Sequence, residues 1–119
     1  MSPDSPLSRL RQLCLAFPEV VEDPDGVGNP SFKVAGSIFV MHMVNHHGDG
    51  KTAFWCKGSQ GAQTALTSSD PERFFVPPYV GRYGWLGVRL DRPVDWLEAA
   101  GLIEDSYRLV APRRLAQLL

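Results

Sequence analysis

The most informative part of the sequence runs from Phe75 to Leu90 and reads FVPPYVGRYGWLGVRL. Its two adjacent prolines fix two φ angles and remove two backbone hydrogen-bond donors, so the chain there is extended and lies outside the interior of a sheet. Glycines follow at 81 and 84, and they allow the tight turns of an exposed loop. The sequence therefore predicts that a loop begins at Pro77.

A half-buried strand is predicted to follow this loop, because from residue 85 the side chains alternate strictly in character. Every second residue is apolar, at positions 86, 88 and 90. The opposite side of the strand carries Trp85, Gly87 and Arg89. We expect that side to be an open platform beside the loop.

Length and composition favour an ordinary globular protein. The chain has 119 residues, of which 44% are hydrophobic and 21% are charged, and we expect residues 1–119 to form a single domain. No apolar run approaches the roughly 18 residues of a membrane span, and the N-terminus lacks the pattern of a secretory signal. A cytoplasmic protein with no membrane partner is the expectation.

The charge distribution is close to neutral. The net charge is −1, which argues against a protein whose whole surface attracts polyanions. Residues 1–50 carry three basic and six acidic side chains, whereas residues 51–119 carry nine and seven. Cys14 and Cys56 form no Cys-x-x-Cys pair, so we expect buried, reduced thiols.

Three helices are predicted from start signals and apolar spacing. Ser5 and Pro6 read as the N-cap and first residue of a helix that Pro18 ends. A weak helix is expected from Ser59 to Leu66, and a strong one from residue 96 to residue 110. The acidic segment 19–30 has little periodicity and is predicted to be an irregular connection.

Strands are predicted at 31–34, 37–44 and 52–57, where turn residues separate runs of β-branched and aromatic residues. Together they should form a three-stranded antiparallel meander, and strict alternation would place Phe39 and Val40 on opposite sides. A short strand at 73–76 precedes the loop. The predicted fold is α+β: helix, meander, helix, two strands and C-terminal helix, with one sheet against which the helices pack.

The order of these elements resembles that of the MmcQ/YjbR family. Three sequence features carry the resemblance: Pro30-Ser31-Phe32-Lys33, the block from Phe74 to Leu90, and Asp105-Ser106-Tyr107. The strand Gly-Trp-x-Gly-Val-x-Leu and the Ser-Tyr pair are its more specific parts. The resemblance covers nearly the whole chain. It implies a fold similar to type III secretion chaperones and DNA binding through a double-wing arrangement.

A DNA interface is also suggested by basic and aromatic side chains around the loop. Arginine pairs with phosphate through two hydrogen bonds, and aromatic rings stack on bases or lie against sugars. We expect a non-enzymatic DNA-binding protein that uses the loop and strand from Pro77 to Arg89. The candidate site residues are Lys57, Tyr79, Arg82, Tyr83, Trp85, Arg89, Arg113 and Arg114.

Two other interpretations stay open. Trp85 and Tyr79 could pack beneath the loop while the arginines pair with Glu72, Asp91 and Asp95. Alternatively, the same platform could belong to a protein- or small-ligand-binding module with no nucleic-acid role. If Trp55 and Lys57 share the side of the sheet that carries Trp85 and Arg89, two tryptophans and two cations meet there.

Catalytic, metal and cofactor sites are not expected. His42 reads as a satisfied strand residue, and His46 and His47 lie in a hairpin with no second ligand cluster. The sequence contains no Gly-x-Ser-x-Gly elbow, and neither cysteine lies in an evidently electropositive setting. We therefore expect no enzymatic activity and favour a monomer.

Overall fold

Six antiparallel strands form one sheet in the computed structural model, which describes residues 5–119. The strands are β1 (Val20–Asp23), β2 (Ser31–Val34), β3 (Ser37–Val44), β4 (Thr52–Lys57), β5 (Phe74–Phe75) and β6 (Trp85–Arg89), in the order β1-β2-β3-β4-β6-β5. The helices are α1 (Pro6–Leu15), α2 (Ala62–Ser69), α3 (Trp96–Val110) and α4 (Arg113–Ala116). This α+β architecture confirms the predicted fold class, and the meander β2-β3-β4 has the predicted bounds.

Strand β1 was not predicted, since the segment 19–30 reads as an irregular connection. The strand forms because it pairs with β2, with Val20 opposite Val34. Its Glu22 carboxylate accepts two hydrogen bonds from Arg11 of α1, at 2.7 and 3.0 Å. Tertiary pairing thus overrides a local composition that disfavours strands.

One side of the sheet is the core. Four cross-strand neighbours lie in a row over β2, β3, β4 and β6, and each of them is fully buried: Phe32, Val40, Cys56 and Leu86. Helix α3 packs against β3 and β4, and its Ile103 and Tyr107 belong to the same apolar cluster. Burial on this side raises the pKa of the Cys56 thiol to about 12, and both cysteines are free, as expected.

A bulge in β3 corrects the predicted alternation. The register between β2 and β3 shifts after Phe32, which leaves Phe39 as an extra residue beside Val40. Both side chains are fully buried. The Phe39 ring meets that of Tyr107 edge-on, with centroids 5.5 Å apart. The bulge therefore turns two consecutive side chains toward the helices.

The Ser106 hydroxyl bridges the end of the β3–β4 ladder. Pairing of these strands ends at Val40 and Cys56. Where the next pair of the ladder would form, the Ser106 hydroxyl lies between the strands. It accepts a hydrogen bond from the Lys57 N–H at 2.9 Å and donates one to the Phe39 carbonyl at 2.6 Å. Ser106 is fully buried, so α3 is hydrogen-bonded to both central strands.

The neighbouring Tyr107 joins α3 to the end of α1. Its hydroxyl donates to the Pro18 carbonyl at 2.8 Å, and its ring stacks on Phe17 with centroids 4.8 Å apart. Burial raises the pKa of the Tyr107 phenol. The Ser-Tyr pair noted in the sequence therefore has a structural role, because both side chains position α3.

The predicted helices form with small changes. Ser5 caps α1 by accepting from the Ser8 N–H at 3.2 Å. Helix α2 begins later than predicted, because its N-cap is Gly61 with a φ of +84°. Helix α3 has the predicted bounds and continues through Gly101. Within residues 5–119, the helices are too short or too polar to cross a bilayer.

Ser106→Ala should lower the free energy of unfolding by about 2 kcal/mol, because a buried N–H and a buried carbonyl each lose their partner. Urea denaturation measures the change. The matched control is Ser69→Ala, whose hydroxyl donates to the Leu66 carbonyl at 3.3 Å on the exposed surface; it should cost less than about 0.5 kcal/mol. Equal losses in the two variants would contradict the bridging role of Ser106.

Candidate nucleic-acid interface

The chain between β5 and β6, residues 76–84, is called the tyrosine loop below. Pro77 is fully buried and anchors its start. The Val80 N–H then donates to the Pro78 carbonyl at 2.7 Å, which closes a γ-turn around Tyr79. Tyr79 has a φ of +65°, in the left-handed region, and its side chain is 72% exposed. The turn therefore holds an aromatic ring out in solvent.

Arg82 and Tyr83 form a second exposed feature of the loop. The guanidinium carbon of Arg82 lies 4.8 Å from the centre of the Tyr83 ring, and Nη2 donates to the Tyr83 hydroxyl at 2.7 Å. Residues 73–90 contain no Asp or Glu. In the part of the chain that the structure describes, Arg82 has no carboxylate partner, so its charge is available to an anion.

The loop partly encloses a cavity of about 420 Å³ that is open to solvent. Its lining combines apolar and basic side chains with backbone: Val76, Pro77, Tyr79, Gly81 and Arg82. The cavity thus has an apolar wall, one aromatic ring and one guanidinium.

Gln63 of α2 holds the loop in place. Its amide nitrogen donates to the carbonyls of Gly81 and Trp85, both at 2.7 Å. These two carbonyls lie at either end of the turn that carries Arg82. Nothing in the sequence singles out Gln63, because a glutamine on a weakly amphipathic helix reads as a solvated side chain.

The β3–β4 hairpin lies against the tyrosine loop. The Nε2 atom of His47 is 3.4 Å from the Tyr79 hydroxyl, and the His46 ring centroid is 4.9 Å from that of Trp55. Among residues 5–119, no three His, Cys, Asp or Glu side chains are grouped to hold a metal ion. The two histidines support the aromatic surface.

His42 lies apart from this surface. It is buried in β3, and its Nδ1 atom is 2.8 Å from the Gly28 carbonyl. Burial lowers the pKa of its imidazole. The interpretation of His42 as a satisfied strand residue is confirmed.

The register of β4 and β6 meets the condition under which two tryptophans and two cations share one side of the sheet. Lys57 lies opposite Trp85, and Arg89 lies opposite Ala53 on the same side. Trp55 shares this side through its pairing with Gly87, and this is the side facing away from α3.

The expectation of an open platform on that side is wrong. The Phe75 ring lies directly over Gly87, where any Cβ atom would overlap it. Lys51 in turn lies over the Phe75 ring, with its Nζ atom 4.8 Å from the centroid. Trp55 is only 3% exposed. The absent side chain at position 87 thus creates room for an aromatic cover rather than for a ligand.

Arg89 forms a bidentate ion pair with Asp91. Its Nε and Nη2 atoms each donate to one carboxylate oxygen at 2.8 Å. These hydrogen bonds lower the pKa of Asp91 to about 2. The interpretation in which arginines pair with nearby carboxylates therefore holds for Arg89. Glu72 and Asp95 are not its partners, and Asp95 instead caps α3.

Arg113 and Arg114 do not share the surface of the tyrosine loop. Both begin α4, and the Arg114 Nη1 atom is 3.0 Å from Glu19. Glu19 directly precedes β1, the edge strand farthest from β5. The other six predicted residues lie either in the loop or on one side of β4 and β6, with Arg89 at the end of β6 away from the loop: Lys57, Tyr79, Arg82, Tyr83, Trp85 and Arg89.

Gln63→Glu should destabilise the protein by about 1–2 kcal/mol, because a carboxylate cannot donate to the carbonyls at 81 and 85. Hydrogen exchange at the amides of 81–85 should become faster than in the unmodified protein. Gln60→Glu adds the same charge at an exposed position and should leave both properties unchanged. Unaltered exchange in Gln63→Glu would show that the glutamine does not hold the loop.

Known proteins provide two similarities. The family model described as YjbR matches residues 15–109. The crystal structure of Deinococcus radiodurans protein DR2400, with a DUF419 domain, matches at a TM-score of 0.73 and 21% identity, over 92% of this chain and 80% of that chain. At that identity the likeness concerns the fold alone. No curated protein matches the chain. Because the family model covers most of the sequence, the chain belongs to the YjbR family.

Proposed function

We propose that this protein is a non-enzymatic DNA-binding protein that uses the tyrosine loop and the adjoining start of β6. One observation carries the proposal: the Arg82 guanidinium, which has no carboxylate partner among residues 5–119, stacks on the exposed Tyr83 and lines one cavity with the exposed Tyr79, in a segment free of carboxylates. Phosphate oxygens suit the guanidinium, and bases or sugars suit the rings.

The geometry of Arg82 favours phosphate binding. Its stacking on Tyr83 holds the planar donor group in one orientation, which reduces the entropy lost when a ligand binds. The half-buried Lys57, the cross-strand partner of Trp85, supplies a second cation near the loop. The family resemblance, which implies DNA binding, supports the same conclusion.

The number of available cations sets the expected salt dependence. Arg89 is neutralised by Asp91, and Lys51 lies over the Phe75 ring. We therefore take Arg82 and Lys57 as the phosphate partners near the loop. Two phosphate contacts predict a slope of about −1.8 for duplex DNA, and about −1.4 for a single strand, in a plot of log affinity against log salt. Affinity should then fall about tenfold between roughly 50 and 200 mM salt.

A second candidate function, protein or small-ligand binding without a nucleic-acid role, is favoured by a different surface. A groove of about 580 Å³ lies between α1 and α3, where Arg9 covers the Trp96 ring at 5.1 Å. Leu97 is 89% exposed beside it. Exposed apolar surface of this kind is typical of protein contacts. Binding there would be insensitive to salt and to changes in the tyrosine loop.

Arg82→Ala should weaken DNA binding by about tenfold to a hundredfold, the cost of one charge-assisted phosphate contact. The slope of log affinity against log salt concentration should also become less negative by about one. Fluorescence anisotropy with labelled DNA measures both quantities.

The matched control is Arg114→Ala, which removes the same side chain from α4. Its guanidinium is paired with Glu19, and three strands separate that edge from the loop side of the sheet. This variant should bind DNA like the unmodified protein. Equal losses in both variants would refute the placement of the interface, and no binding by the unmodified protein at low salt would refute DNA binding itself.

A further inference from the structure

We propose that the tyrosine loop selects single-stranded over double-stranded DNA, with an unpaired base stacked on Tyr79 and the adjacent phosphate bound by Arg82. This inference rests on the proposed function and names its substrate class. The three features that carry it are the exposure of the Tyr79 ring, its backbone conformation, and the small number of free cations beside it.

The first feature is the placement of the Tyr79 ring. It is 72% exposed at the edge of the loop cavity, where Val76 and Pro77 provide apolar surface. A base can lie flat on such a ring only if its own face is free. In duplex DNA the faces are covered by neighbouring base pairs and only the edges are accessible in the grooves. The ring therefore suits an unpaired base.

The second feature is backbone strain. Tyr79 has a φ of +65° at the centre of a γ-turn, a conformation that glycine adopts easily and a tyrosine does not. The side chain is mostly exposed, and its contacts are with the β3–β4 hairpin: the hydroxyl is 3.4 Å from His47 Nε2, and the ring meets those of His46 and His47 edge-on, with centroids 6.2 and 6.1 Å apart. A strained backbone that holds an exposed aromatic side chain favours a binding role.

The third feature is electrostatic. A protein that binds duplex DNA gains most of its affinity from many phosphate contacts. Here the net charge is −1, and Arg82 is the one exposed arginine of the loop itself. Stacking does not depend on charge and contributes about fivefold to a hundredfold in affinity per base. A site with two rings and few cations therefore favours a single strand.

The test compares two labelled ligands by fluorescence anisotropy: a single strand of about 12 nucleotides and the same strand annealed to its complement. The unmodified protein should bind the single strand at least about tenfold more tightly. Tyr79→Gly should lower single-strand affinity by about fivefold to a hundredfold. Its affinity for the duplex should fall by a smaller factor, because the base faces of a duplex are covered by neighbouring base pairs.

Tyr79→Gly is a suitable variant because glycine relieves the strain at this φ. Thermal denaturation should show that the variant is fully folded at the temperature of the binding assay, so that lost binding cannot come from unfolding. Tyr79→Phe is the matched control, since it keeps the ring and removes only the hydroxyl. It should retain single-strand affinity.

The possible results separate this inference from the proposed function. Equal or tighter binding of the duplex, or full single-strand affinity in folded Tyr79→Gly, would overturn the preference for single strands. DNA binding would still stand if Arg82→Ala weakened it. Absence of binding to both ligands would overturn both proposals.

Discussion

The Ser106 hydroxyl is the buried polar contact that joins the two central strands of the sheet to its longest helix. It accepts from the Lys57 N–H and donates to the Phe39 carbonyl, at the step where the β3–β4 ladder stops and β3 bulges. Because the hydroxyl is buried, these backbone groups have no water to replace it. The contact joins α3 to β3 and β4 on the side of the sheet where the buried apolar residues lie. The opposite side is left to loops, and the candidate interface lies among them.

Charge pairing then decides which cations remain available at the surface. Arg89 pairs with Asp91, and Arg114 pairs with Glu19. Arg73 pairs with both Asp70 and Glu98. Arg82 lacks such a partner among the described residues and stacks on its neighbouring tyrosine instead. A chain with nearly balanced charge can therefore still present one exposed guanidinium without a carboxylate partner among residues 5–119, beside exposed aromatic rings.

Local patterns in the sequence predicted the helices and the β2-β3-β4 meander, because apolar spacing and turn residues act over a few positions. Other features depend on residues far apart in the chain. Strand β1 forms only through its pairing with β2. The aromatic ring over Gly87 belongs to Phe75, which lies in the neighbouring edge strand β5. The same reason explains the candidate site. The composition of residues 77–89 predicted the loop, whereas the two hydrogen bonds from Gln63 and the separation of α4 from the loop arise only from the topology.

The most direct test of this account is a ¹H–¹⁵N NMR titration of the full chain with a short single-stranded oligonucleotide. It follows every backbone amide at once and so locates the bound surface without mutation. The account predicts shifts concentrated in residues 79–85 and in the adjoining hairpin at 46–47, with the amides of α4 and of the groove between α1 and α3 unchanged. Shifts confined to α4 or to that groove, with the tyrosine loop unaffected, would contradict it.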